Sequence, residues 1–367
     1  MKALVVGGTG PTGPHLVRGL LERGYEVTIF HRGTHESDEI PDCVEHIHGD
    51  PHFRETIEEA LEDREFDLVL ATYGRLRHLS AALRGRTKRF IGIGGVAVYR
   101  GYKEPECLFP HGMMVPTRED DPRADGDNEV RFSRLMSETE NAVFDDHPNA
   151  TIFRYPYVYG PHQLIPREWC VIRRLLDGRR HIIVPEGGLM LATHGYAPNL
   201  AHAVLLAVDL PEESAGQAYN CGDEKTMTIR QLIEVIADTM QTPVEIVSVP
   251  NEVAVTSRAL TTRDDLHHWV MDIGKLQREL GYRDQVDPVT AVRETVAWYL
   301  RNRPEPGGEI EQRLADPFDY ATEDRLIEAQ ANALQEMRRI TSSVGGERRP
   351  HAYAHPQQPG ARDHRAR

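Results

Sequence analysis

The chain has 367 residues, 40% of them hydrophobic, and 57 acidic residues against 43 lysines and arginines give it a formal charge of −14 at pH 7. That length allows a sizeable core and more than one domain at ~150 residues each. The acidic balance argues against a nucleic-acid or anionic-membrane partner, the apolar runs fall short of the ~20 residues of a membrane helix, and four dispersed cysteines (Cys43, Cys107, Cys170, Cys221) read as packed thiols of a reducing compartment with no zinc or other metal site.

Met1-Lys2 leads straight into a strand, so no signal peptide and a cytoplasmic location are expected. Leu4-Val5-Val6 is the apolar run of a buried strand, followed at once by Gly7-Gly8-Thr9-Gly10-Pro11-Thr12-Gly13. Leu16, Val17, Leu20 and Leu21 recur at helical spacing, and Gly24 sits where a helix caps. Strand, tight turn and helix in that order are the context in which G-x-x-G-x-x-G reads as a dinucleotide-binding turn. Gly7 and Gly10 let the backbone turn and approach a pyrophosphate, while Gly13 lets helix and strand pack closely. The helix N-terminus offers free N–H groups and a positive dipole end to the phosphates. Thr9, Pro11 and Thr12 complete the cradle, and Pro14 suits a first helical turn. Without a ligand the same residues would form only a tight turn.

Glu26 to Phe30 reads as a second strand ending at His31-Arg32-Gly33, where a dinucleotide fold meets the adenosine ribose. An acid there would bind the ribose hydroxyls; its absence and the presence of Arg32 favour NADP over NAD. Val44 to Asp50 forms a short third strand, with Asp50 placed near the adenine edge. A helix over Phe53 to Leu61 precedes a fourth strand from Phe66 whose end, Ala71-Thr72-Tyr73, is placed on the cofactor. Lys88 to Gly94 is a fifth. Strands alternating with helices predict a parallel sheet covered on both faces.

From Arg100 to Asn128 periodicity fails, yet Cys107, Leu108, Phe109, His111, Met113 and Met114 make the loop apolar, and a loop of this length is often functional. Helical spacing returns from Glu129 to Phe144. Thr151 to Arg154 restarts a strand closed by Tyr155-Pro156-Tyr157-Val158-Tyr159-Gly160-Pro161. Helices are expected at Cys170 to Leu176, Leu200 to Val208, Ile229 to Met240 and Val289 to Leu300. Another is expected at Glu323 to Ile340, capped by Thr322. The remainder, rich in Gly, Pro, His, Gln and Arg, reads as a disordered tail.

By this point the motifs resemble a family, the extended short-chain dehydrogenases/reductases, or NAD-dependent epimerase/dehydratase family. Gly7 to Gly13 resembles its opening motif, Val98-Tyr99 its V-Y-G, and Arg154 with Val158-Tyr159-Gly160-Pro161 its R-x-x-x-V-Y-G-P. Tyr219-Asn220-Cys221-Gly222 with Thr228-Ile229 resembles the entry to its substrate-binding part, and Glu294 to Tyr299 its closing helix. The resemblance covers residues 1–303. It implies an α/β chain: a Rossmann-like doubly wound parallel sheet binding NAD(P), with a smaller C-terminal substrate-binding region. The expected organisation is 1–165 for the Rossmann-like domain, 166–303 mainly for the substrate-binding region, 304–341 for a helical extension and 342–367 for the tail.

The family works with a serine or threonine, a tyrosine as acid/base and a lysine that lowers its pKa. Here those positions fall on Gly95, Val130 and Arg134. Valine moves no proton and arginine stays charged, although Arg134 can still hold a ribose or a substrate anion. Tyr99-Arg100-Gly101-Tyr102-Lys103 spells Y-x-x-x-K by coincidence, because it follows a strand and contains a glycine.

Replacement acid/base groups are sought among Tyr155, Tyr157 and Tyr159 at the sheet's C-terminal edge, with Tyr155 placed near the nicotinamide. Tyr99 and His111 follow, and His194 is a weaker candidate. Each has a packing or solvated alternative. The expectation is an NAD(P)-dependent oxidoreductase or epimerase/isomerase/lyase, acting on a small hydroxy or keto compound through a non-standard acid/base set. The apolar loop hints at a substrate less polar than a nucleotide sugar, and a homodimer is expected. The alternative is a catalytically inactive NAD(P)-binding sensor or assembly protein. A third reading, RNA binding by relatives of this fold, is opposed by the net charge.

Overall fold

A computed structural model describes residues 1–34, 37–72, 74–126, 129–261, 267–344 and 358–360. The chain divides into two compact units, residues 1–319 and 320–367.

The first unit opens with β1 (Lys2–Val6), α1 (Gly13–Glu22), β2 (Glu26–His31), β3 (Glu45–His48), α2 (Arg54–Leu61), β4 (Phe66–Ala71), α3 (Leu76–Ala82) and β5 (Thr87–Gly95). After the long loop come α4 (Arg131–Asp146), β6 (Thr151–Tyr155), β7 (Tyr157–Tyr159), α5 (Arg167–Leu176), β8 (His181–Pro185), β9 (His194–Tyr196), α6 (Ala197–Asp209) and β10 (Gln217–Asn220). The rest comprises α7 (Ile229–Thr239), β11 (Glu245–Val249), α8 (Arg258–Thr261), α9 (Gly274–Leu280), α10 (Pro288–Arg301) and α11 (Glu309–Leu314).

Seven strands pair in parallel in the order β10-β6-β5-β4-β1-β2-β3. The apolar strands of the sequence are buried on both faces, as a parallel sheet requires. One core joins the sheet to α1 and α6 through Leu16, Leu20, Leu200 and Val204. Another, on the opposite face, gathers Ile57, Leu61, Leu79, Phe90 and Val143. The sequence order reverses direction at β1, whose neighbours are β2 and β4. This switch point opens a crevice at the strands' C-terminal ends, the usual ligand position in such sheets. β10 lies in the main sheet beside β6, whereas β8 with β11 and β7 with β9 make separate two-stranded parallel sheets. A third core around Trp169, Ile233, Val292 and Tyr299 holds the C-terminal region.

Helix ends shift by a few residues from the periodicity. Prolines extend two starts: α6 begins at Ala197 with Pro198 in its first turn, and α10 at Pro288 on an Asp287 cap that accepts N–H bonds from Val289 and Thr290. α5 begins at Arg167, three residues before the expected Cys170, and α4 spans 131–146 instead of 129–144. Two of the four thiols are not packed: Cys43 and Cys107 are exposed, Cys170 and Cys221 buried.

The second unit holds α12 (Tyr320–Thr341), with Leu334, Met337 and Ile340 exposed. It begins two residues before Thr322, which therefore lies inside the helix and does not cap it. Most of 342–367 lies outside the described residues. Among the described residues no helix is long and apolar enough to cross a membrane.

Candidate functional site

A cavity of about 440 Å³ opens at the switch point, and the turn from Gly7 to Gly13 forms its base. Gly7 and Gly8 take φ of +98° and +86°, a region costly for residues with a Cβ. A Cβ on Gly13 would collide with the Gly8 carbonyl, so only glycine lets α1 start so close to β1. A Cβ on Gly10 would meet nothing within 4 Å; it would point into open space. The turn therefore leaves a cradle beside the first free N–H groups of α1, which fits a dinucleotide pyrophosphate.

Arg32 lines the cavity beside His31, at the end of β2. Thr72 lines it too, held by its Oγ1 donating to the Val6 carbonyl at 2.8 Å. Tyr155 forms part of the wall, 8% exposed, with its hydroxyl donating to the Leu200 carbonyl at 3.3 Å. Burial pushes that hydroxyl's pKa well up. Ile93, Val158, Leu164 and Arg313 also reach the cavity. Arg313 comes from α11, in the segment expected to be only a helical extension; no local pattern marks it, because it arrives from 300 residues away.

Other expected cofactor contacts lie elsewhere. Asp50 Oδ1 accepts from the His52 backbone N–H at 3.0 Å and lies 2.7 Å from its Nδ1, and Asp50 does not line the cavity. Ala71 is fully buried in β4. Arg134 pairs with Glu138 one turn along α4 at 3.0 Å and is not at the cavity wall. Tyr73 falls outside the described residues.

Tyr99 is 1% exposed and tied into the core. Its hydroxyl donates to Asn220 Oδ1 and accepts from Arg154 Nη1, both at 2.7 Å, and burial raises its pKa. Tyr99 also faces a second cavity of about 410 Å³ under the apolar loop, with Leu108, Phe109, Met113 and Met114. That cavity and the dinucleotide cavity share no lining residue, and His111 is exposed and lines neither.

Only Tyr155 of the three strand-end tyrosines faces the cofactor cavity. β7 alternates, so Val158 looks into the cavity while Tyr157 and Tyr159 turn to the other face, against His194 of β9. There they meet His194, the weaker candidate of the sequence, together with Glu168, Asp223 and Arg167, which sequence patterns did not single out. Two small voids of about 20 and 30 Å³ share the His194 ring; Glu168 and Asp223 border one, Arg167 and Val96 the other. Val96 lies three residues beyond Ile93, so the second void and the cofactor cavity draw on the same chain segment.

The electrostatics of this cluster are unusual. Burial pushes the Glu168 carboxyl up to about 7 and the Asp223 carboxyl up to about 6. Hydrogen bonds from the Tyr196 N–H, the Tyr159 hydroxyl and the Asn199 amide oppose the Asp223 rise. Burial lowers the His194 imidazole to about 3, so it is neutral at pH 7. Glu168 Oε2, His194 Nε2 and Arg167 Nε are enclosed without a hydrogen-bond partner among the described residues. Unsatisfied buried polar atoms cost about 1–3 kcal/mol each. Glu168 and Arg167 each border one of the two voids and His194 borders both, so a small polar group entering either void would meet an unsatisfied partner.

Residues 7–126 match the family model described as NAD(P)H-binding. The chain is 27% identical over 314 residues to the chloroplast stem-loop binding protein of 41 kDa b of Arabidopsis thaliana, across 80% of this chain and 78% of that protein. It is 25% identical over 340 residues to the UDP-N-acetyl-alpha-D-glucosaminuronate decarboxylase of Bacillus cytotoxicus, across 81% and 97%. Among solved structures, UDP-glucose 4-epimerase of Thermotoga maritima with UDP-glucose superposes with a TM-score of 0.67 at 18% identity, covering 83% of this chain and all of that one. The dTDP-glucose 4,6-dehydratase DesIV of Streptomyces venezuelae, with NAD bound, gives 0.62 at 21%, covering 83% and 98%. The structural likeness establishes the fold, and the findings together bear out the resemblance read from the motifs.

Proposed function

We propose that this chain is an NAD(P)-dependent enzyme of the epimerase/dehydratase type. It acts on a hydroxy or keto group of a sugar nucleotide or a related small molecule, with NADP(H) preferred. The cavity at the switch point carries the reading, because its glycine cradle, helix N-terminus and Arg32 meet the phosphates and ribose of one ligand class. Names of relatives support the substrate class: a UDP-sugar decarboxylase among the sequences, and a UDP-glucose epimerase and a dTDP-glucose dehydratase among the folds.

A nicotinamide supplies reversible hydride transfer when bound. The chain's own residues supply the rest. The first turn of α1 holds the pyrophosphate, and Arg32 neutralises a 2′-phosphate. Tyr155 packs against the cofactor as a wall, since its hydroxyl is committed to Leu200. Acid/base work falls to the cluster beyond β7: Glu168, titrating near neutrality, holds or releases a proton at Oε2, and neutral His194 offers Nε2 to the same group. Arg167 Nε orients an anionic or carbonyl oxygen there. We further propose a homodimer in a reducing, cytoplasmic setting, which suits the exposed Cys43 and Cys107.

A second reading, cofactor binding without turnover, draws on Tyr99, Tyr155, Tyr157 and Tyr159, whose hydroxyls are all engaged in internal hydrogen bonds. The deciding experiment is to purify the protein without added nucleotide, denature it and identify any released cofactor by mass, with NADH and NADPH titrations by fluorescence alongside. Release or micromolar binding of NADP(H) is expected. Binding of neither nucleotide at millimolar concentration overturns both readings. Tight binding, with no hydride exchange in any of a panel of UDP- and dTDP-sugars, favours the second.

A further inference from the structure

The edge of the sheet carries a histidine cluster, of which only His31 lines the dinucleotide cavity. His46 and His48 are two residues apart on β3, so their side chains share one face of the strand. β3 pairs in parallel with β2, and the register sets His31 directly beside His48. Three imidazoles therefore converge on one face at the strands' C-terminal ends, with ring centroids 5.0 to 6.4 Å apart. One ligand nitrogen from each lies within 4.8 Å of the others, and His31 Nε2 is 3.2 Å from His46 Nδ1.

We propose that His31, His46 and His48 form a binding site for a divalent first-row transition-metal ion, zinc or a close neighbour of it. Zinc–imidazole bonds of 2.0–2.1 Å in a tetrahedron set ligand nitrogens about 3.4 Å apart. The His31–His46 pair already has that spacing, and the remaining adjustment falls to the exposed side chain of His48. Gly33, at a φ of +71°, passes close to the His48 ring, and its lack of a Cβ leaves the ring room. A donor set of three imidazoles selects zinc, nickel, cobalt or copper over magnesium and calcium, which take oxygen ligands. The fourth position is left to water or a small anion.

The protons balance simply. The 3.2 Å contact between His31 and His46 is a hydrogen bond in which one of the two nitrogens carries the proton. An ion takes that proton's place, and the displaced proton moves to the other nitrogen of the same ring, so neutral imidazoles take up the ion with no net proton release. Ligation through His31 Nε2 leaves the ring proton on Nδ1 and gives up a long 3.4 Å contact from the Gly33 N–H.

The test uses the full chain, purified without a polyhistidine tag and stripped with a chelator. Co2+ is titrated while its visible absorption is followed, and Zn2+ is then added as competitor. One Co2+ per chain with the intense spectrum of a four-coordinate ion is expected, displaced by one equivalent of Zn2+. His46→Gln and His48→Asn, both at exposed positions, should each weaken binding roughly tenfold or more, and the double variant should abolish the spectrum. Circular dichroism and NADPH titration of the variants check that the fold persists. An unchanged affinity and spectrum in the double variant, which would place the ion on other histidines, overturns the proposal. So does the absence of binding by the wild-type chain at millimolar Co2+.

Discussion

Arg154 at the end of β6 and Glu140 on α4 meet as a two-pronged buried ion pair, Nε to Oε1 at 2.9 Å and Nη2 to Oε2 at 2.8 Å. Both side chains are about 5% exposed or less. Arg154 also donates to the Tyr99 hydroxyl, which donates to Asn220 on β10. One arginine thus locks α4 and the loop after β5 onto the strands beside the crevice. The arginine of the family-like motif acts here as a fastener, and Tyr99 is part of the same fastening.

Removing the acid should expose that dependence. Glu140→Ala leaves a buried, unpaired guanidinium and is expected to destabilise the chain by about 3–5 kcal/mol. Tyr99→Phe should cost about 1–3 kcal/mol and leave NADPH affinity unchanged. Urea denaturation reads the first effect and nucleotide titration the second. A loss of turnover in Tyr99→Phe without a loss of stability would return Tyr99 to the catalytic candidates.

The glycine turn separates fold from binding. Gly10→Ala places a methyl group into open cavity space, so stability should stay within about 0.5 kcal/mol while dinucleotide affinity falls. Gly13→Ala meets the Gly8 backbone and should weaken both together. Thermal denaturation with and without NADPH distinguishes the two patterns.

Arg32 should discriminate between the nicotinamide cofactors. A charge-assisted bond to a 2′-phosphate contributes about 1.5–3 kcal/mol, so Arg32→Ala should weaken NADPH roughly 10- to 100-fold and leave NADH nearly unchanged. Arg313→Gln, from the opposite side of the sequence, should weaken both cofactors if it meets the common phosphates. Fluorescence titrations of both nucleotides with both variants test this.

Stability should depend on pH through the buried cluster, with opposite signs from two groups. Folding raises the Glu168 carboxyl from 4.5 to about 7, so the folded chain keeps a proton that the unfolded chain loses across that window. This contribution is fully present below pH 4.5 and is lost as pH rises to about 7, a change of about 3 kcal/mol. Folding lowers His194 from 6.5 to about 3, so its contribution is present above pH 6.5 and is lost as pH falls toward 3. Glu168→Gln should flatten the first dependence and His194→Gln the second. Urea midpoints between pH 3 and 8 measure both, and parallel curves for wild type and Glu168→Gln would refute the assignment.

The alternation of strands and helices, the glycine turn and the position of Arg32 were all legible in the sequence by itself. Each rests on residues a few positions apart, where helical or strand periodicity and backbone sterics act locally. Side-chain convergence was not legible in the same way. Tyr157 and Tyr159 read as cofactor-facing until the pairing of β7 with β9 set which face each takes. Asp50 followed the strand-end logic yet turned to His52, two residues away. Arg313 reaches the cavity, and Glu168 borders the same void as His194, only because the fold carries distant segments together. His31 meets His48 only through the register of β2 on β3. Register and crossover are set by the packing of the whole core, so the tertiary structure alone decided which polar groups became neighbours and which of them were left buried without partners among the described residues.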